Sequence, residues 1–247
     1  MEVVGRLMRL MLALACGVAL CACQTAPKVE TMGAKSPSWT DEWHAFELPG
    51  KRSTRYVPGQ FESQWVLHAQ ADRSASVHRR TVRVAPDELG SVSFSWKVAS
   101  LVPGADVRNS DVEDAPVRLL LAFDGDASRL SPRTRMMFDL MHTLTGEAPP
   151  FATLMYVWDG PTPVDTLVVN RRSDRVRKIV LESGPAHLGQ WRRYTRDIAD
   201  DFRRAFGEEP GALIGIAVMT DTDNTLTNAE AWYGEIKLHR GNGGVVW

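Results

Sequence analysis

The chain has 247 residues with 29 Lys and Arg against 30 Asp and Glu, a formal charge of −1. That near balance, with no basic stripe along the chain, excludes nucleic acid as a partner and any partner selected by bulk charge. Hydrophobic residues make up 44% of the chain, enough for a buried core of domain size.

Arg6 and Arg9 precede an uncharged apolar run from Leu10 to Leu20. Eleven residues suit the apolar segment of a secretory signal and fall short of the ~20 needed to span a bilayer as a helix. The cleavage region Leu20-Cys21-Ala22-Cys23 resembles the lipobox of bacterial lipoproteins. That resemblance implies lipidation of Cys23, removal of residues 1–22, and stable anchoring by several acyl chains. Gln24 at the following position resembles lipoproteins sorted to the outer membrane, so the expected place is the cell envelope, facing the periplasm. All three Cys lie at or before position 23, so no disulfide is available to the rest of the chain.

Residues 23–38 are polar and aperiodic and read as a flexible tether. The domain proper is expected over 39–240, with 241–247 a loose, Gly-rich tail. A single β-domain of this size is ordinary. Strand patterns run in chain order through 65–70, 76–84, 92–98, 117–123, 153–158, 166–169, 176–181, 213–220 and 231–238. In the third, Val92, Phe94, Trp96 and Val98 share one face. Two helices interrupt the strands. Ser131-Pro132 offers a cap and a first-turn proline before Met136, Met137, Leu140, Met141 and Leu144, with Gly146 as the stop. Thr195 is the expected cap of a second helix carrying Ile198, Phe202, Ala205 and Phe206 and ending at Gly207. Helices that do not alternate with strands predict a mainly β, antiparallel jelly-roll-like sandwich with two inserted helices.

The segments Glu113–Phe123, Tyr156-Val157-Trp158, Gly215–Thr225 and Ala231–Ile236 resemble the bacterial family known as domain of unknown function 3047. The likeness covers most of 40–240, and Asp221-Thr222-Asp223-Asn224-Thr225 is its most specific piece. The order Gln190–Tyr194, helix, strand, acidic loop and last strand is similar to the closing half of galactose-binding-like jelly-roll modules. That likeness implies a fold and carries no activity.

Candidate ligand-binding residues are Asp114, Arg118, Tyr156, Trp158, Asp221, Asp223 and Asn224. The loop 221–225 follows an apolar strand and has three readings: a loop tied by its own Asx turns, a site for sugar hydroxyls, or a hard-cation site in which Asp221 and Asp223 would ligate Ca²⁺. The EF-hand pattern fails, because Leu226 stands where its sixth-place Gly is required. Arg118, set among Leu and Ala, demands a carboxylate, with Asp114 or the 221–223 loop as the source. Tyr156 and Trp158 share a strand face with two readings, a rim pocket before the Asp159-Gly160-Pro161 turn or a face that is simply buried. The run Arg171–Lys178 reads as a solvated hairpin, with contact to lipid phosphate as the other reading. No nucleophile elbow, zinc motif or P-loop occurs, and no cofactor is expected. The expected function is a lipid-anchored envelope binding protein, glycan-type ligands leading. The alternatives are a carboxylate-dependent hydrolase of an envelope glycan and a scaffold that docks another envelope protein.

Overall fold

The computed structural model describes residues 42–246. Cys23, the signal segment 1–22 and the tether 23–38 lie outside them. No helix among the described residues is long and apolar enough to cross a membrane.

Thirteen strands and two helices follow one another in the described chain. They are β1 (His44–Glu47), β2 (Arg55–Phe61), β3 (Gln64–Asp72), β4 (Ser76–Val84), β5 (Leu89–Val98), β6 (Ala115–Phe123), α1 (Pro132–Thr145), β7 (Ala152–Asp159), β8 (Leu167–Val169), β9 (Val176–Ser183), β10 (Arg192–Asp197), α2 (Ile198–Phe206), β11 (Leu213–Asp221), β12 (Asn228–Tyr233) and β13 (Lys237–Arg240). One sheet has the order β1-β4-β11-β6-β7-β9-β8. The other has β10-β5-β12-β3-β2, with β13 alongside the first half of β5. The chain passes repeatedly from sheet to sheet, giving a jelly-roll-like sandwich. Pairing is antiparallel except between β7 and β9, which run parallel. The chain leaves β7, skips one place to form the short edge strand β8, and returns by a hairpin as β9 into the gap.

Period-2 alternation puts the core between the sheets. Val117, Leu119, Leu121 and Phe123 of β6 face Val92, Phe94, Trp96 and Val98 of β5, joined by Leu154, Tyr156 and Trp158 of β7 and by Ile216 and Val218 of β11. The helices stop where their capping residues dictate. Ser131 Oγ accepts from the Thr134 amide, and Gly146 closes α1 in the left-handed region at φ 75°. The second cap is Asp197, whose carboxylate accepts from the Asp200 amide. Thr195, expected there, lies inside β10 instead. A strand of alternating Arg, Tyr, Thr and Asp hides its periodicity behind charge, since Arg192 and Arg196 are held inward by Glu182 and Asp201. The predicted strand 231–238 is two strands, broken at Gly234. A Cβ there would stand 2.2 Å from Ser95 Oγ. After β13 the chain turns, and the Val246 amide donates to Leu238 O, tying the tail to the sheet.

Candidate functional site

The two acidic segments separated by about a hundred residues meet at one end of the seven-stranded sheet. β6 and β11 are neighbours in antiparallel register, which sets Ala115 opposite Asp221 and Arg118 opposite Met219. Arg118 and Asp221 form a bidentate pair, Nε to Oδ1 at 2.9 Å and Nη2 to Oδ2 at 2.8 Å, and both are almost fully buried. Asp221 also accepts from the Ala115 amide at 3.1 Å. Arg118 Nη2 donates to Glu113 O as well. Beneath them Tyr233 donates to Met219 O at 2.7 Å and accepts from the Arg118 amide. The buried Arg thus has the carboxylate that its desolvation demands.

Asp114 is fully buried and organises the acidic loop from a distance. It accepts from the amides of Asn224 and Thr225, at 3.2 and 2.7 Å, and from Thr225 Oγ1 at 2.7 Å. Asn224 Nδ2 donates to Ser110 O at 3.2 Å, and Asp223 pairs with Lys51. The loop is held by a remote carboxylate together with a backbone turn, Thr227 N to Thr222 O at 3.2 Å, and its Asp221, Asp223 and Asn224 side chains bond elsewhere.

Lys178 of β9 lies beside this network with its side chain 1% exposed, donating to Glu113 at 2.7 Å and to Val107 O at 3.0 Å. Asn170 Nδ2 donates to the same Glu113 carboxylate at 3.1 Å. Lys178 belongs to a run that reads as a solvated hairpin in sequence. The signal against that reading is a lysine on the same strand face as Val180, which cannot be buried without an acid. Burial, with the Arg118 charge nearby, lowers the Lys178 amine, and burial pushes the Asp221 carboxyl up to about 6.

These residues surround a hollow of about 160 Å³ lined by Lys51, Arg118, Arg172 and Lys178 and by Glu113, Asp221 and Asp223, with Asn170, Asn224, Met155 and Met219. Three of the cations are paired with the three carboxylates, and the fourth, Arg172, donates to Ser110 O. The lining holds donors and acceptors in fixed places.

Of the seven ligand-binding candidates, Arg118, Asp221, Asp223 and Asn224 line the hollow, and Asp114 lies fully buried behind its acidic loop. Tyr156 and Trp158 do not line it. Both are fully buried on the inner face of β7, Tyr156 donating to Asp201 at 2.7 Å and Trp158 to Gly184 O at 3.0 Å. Their shared face is the core face, so the rim pocket is not formed. One carboxylate oxygen from each of Asp114, Asp221 and Asp223 lies within 4.8 Å of the others, a spacing open to a cation. Asp221 is spent on Arg118, Asp223 on Lys51 and Asp114 on three donors, so this donor set does not fit Ca²⁺ without breaking all three.

Fold and hollow together define a jelly-roll-like β-sandwich with a pre-paired polar depression on one sheet. The chain belongs to the family described as a protein of unknown function, DUF3047, whose profile matches residues 41–237. No curated protein matches the chain. Similar solved structures include the xyloglucanase domain of NopAA, a type three effector from Sinorhizobium fredii, at 8% identity over 81% of this chain and 99% of that one, with a TM-score of 0.41. An ENZbleach xylanase mutant is similar at 10% identity over 89% of each chain, TM-score 0.43. The K1 cleaved adhesin domain of Lys-gingipain from Porphyromonas gingivalis W83 is similar at 10% identity over 81% of this chain and 94% of that one, TM-score 0.35.

Proposed function

We propose that this is a binding protein of the bacterial cell envelope, anchored by lipid at Cys23 and facing the periplasm, that holds a glycan-type ligand in the hollow around Arg118 and Lys178. The observation that carries the reading is a surface depression in which buried ion pairs fix donors and acceptors side by side. Lys178 and Asn170 flank Glu113, and Arg118 flanks Asp221. Hydroxyl groups, which donate and accept at once, suit such a lining better than a bare anion or cation does. The hydrolase reading, which would use Asp114 and Asp221, fits less well, because both are buried, Asp221 tied to Arg118 and Asp114 to three donors of the acidic loop.

The test is calorimetry of the purified chain with peptidoglycan fragments and with lipopolysaccharide core oligosaccharide. Saturable binding to one of them is expected, weakened by Asn170→Ala and Arg172→Ala at temperatures well below the melting transition of each variant. Binding indifferent to both substitutions removes the hollow as the site. Slow turnover of the glycan, abolished by Asp221→Asn, would replace binding with hydrolysis.

A further inference from the structure

The hollow does not end where its charges end. Strand residues two apart share a face, and three neighbouring strands carry the outer face onward from it. β6 passes from Arg118 to Leu120 and Ala122, β11 from Met219 to Ala217 and Gly215, and β7 from Met155 to Thr153. These residues floor a second, larger groove of about 360 Å³, which shares Met155 with the hollow. The groove is walled by Phe46 on one side and by Ala148 and Pro150 on the other, with Arg79 and Glu147 paired across its rim at 2.7 Å. Its floor is aliphatic and partly exposed, and the ring that lines it, Phe46 on the wall, has the Arg79 guanidinium 4.0 Å over its face. An apolar trough of this size on a solvent-facing sheet marks a binding surface. Along the strands the floor passes from aliphatic at Ala122 and Gly215 to paired charges at Arg118 and Asp221, while Arg79, Arg80 and Glu147 set charge at the groove's rim.

We infer that the groove takes an acyl chain, and that the ligand of the protein is an amphiphile whose alkyl tail lies over Leu120, Ala122, Gly215 and Ala217 while its polar head sits in the hollow. This rests on the proposed function for the head and extends it to a glycolipid-type ligand. A flexible hydrocarbon chain needs no ring partners, fills a shallow aliphatic trough, and gains from each methylene removed from water. A longer glycan would leave its hydroxyls unpaired along the same floor.

The experiment uses residues 24–247, made without the signal segment and purified without detergent, so that neither attached lipid, the apolar run 10–20 nor a micelle competes. Laurate and butyrate are titrated in parallel. Both carry a carboxylate and differ in tail alone, so laurate should bind about ten-fold tighter or more. Gly215→Leu should abolish that advantage. A Cβ at Gly215 meets only Ala122 Cβ at 3.5 Å and Arg80 O at 3.6 Å, both ordinary contacts, so the added side chain fills the groove without displacing backbone. Leu120→Gln is the second variant and should cut the laurate advantage while leaving the fold intact. Equal binding of the two acids, no saturable laurate binding, or a laurate advantage that survives both variants overturns the inference. Laurate failing while glycans bind leaves the glycan reading standing alone. Laurate binding without any glycan binding leaves the groove and removes the head assignment.

Discussion

Arg118 and Asp221 show how a single buried pair ties function to stability. Arg118→Ala leaves Asp221 buried without its cation and should cost about 3–5 kcal/mol, read as a drop in the urea midpoint. Replacing both at once, Arg118→Met with Asp221→Leu, should restore much of that loss, because no charge is then stranded. Trp158→Ala is expected to cost about 3–5 kcal/mol through a core cavity, with no separate effect on ligand binding. A ligand affinity that falls while stability holds would return Trp158 to the site. His78 supplies the pH dependence. It stacks between Trp43 and Tyr56, at centroid distances of 6.1 and 5.3 Å. Burial, and then the nearby His44, push its imidazole down from 6.5 to about 4. Between those values the unfolded chain binds the proton that the folded one refuses, so His78 makes stability fall as pH drops through that window. The Asp221 carboxyl, raised to about 6, acts in the opposite sense over part of the same range. The effect is therefore read as a difference: chemical denaturation of His78→Phe at stepped pH should show a shallower acid loss than the parent.

At the scale of elements, capping decides where helices begin. Asp197→Ala removes the acceptor for the Asp200 amide and should lower stability by about 1 kcal/mol, visible as a lower melting temperature. α1 behaves differently. Its stripe of Met136, Leu140 and Leu144 is 69%, 56% and 58% exposed, and the side of the helix that seats on the body includes Thr134 and Phe138. Leu140→Ser should therefore change stability by no more than about 0.5 kcal/mol in thermal melts. A larger loss would mean that the stripe is covered in solution. The strands whose side chains alternate cleanly were legible from residue pattern: β4, β5 and β11 lie where periodicity put them, and α1 where Ser131-Pro132 and Gly146 put it. β2 was not legible, because Pro58-Gly59 interrupts it. It tolerates a proline as an edge strand paired only with β3. β10 escaped for another reason, since Glu182 and Asp201 turn its arginines inward.

For the whole molecule, the sandwich makes two unlike faces of one sheet. The inner face of β6, β7 and β11 is packed core. The outer face, one residue out of phase with it, carries the groove and the hollow. Tyr156 and Trp158 fell on the wrong side of that division. Two rings sharing a strand face identify a face but not which way it points, and only the pairing of β7 between β6 and β9 sets the direction. Lys178 is the converse case, a charge buried on the outer face because β9 is a penultimate strand with Glu113 and Val107 arching over it.

Residue pattern by itself determined the β-rich class, both helices and the demand of Arg118 for an acid, because these depend on periodicity, capping and the cost of burying a charge, all local quantities. The tertiary structure decided which acid answers Arg118, which rings are core, and that a polar hollow runs into an aliphatic groove. Those depend on strand order and register, which bring residues about a hundred positions apart within hydrogen-bonding distance, and no short stretch of chain encodes that pairing on its own.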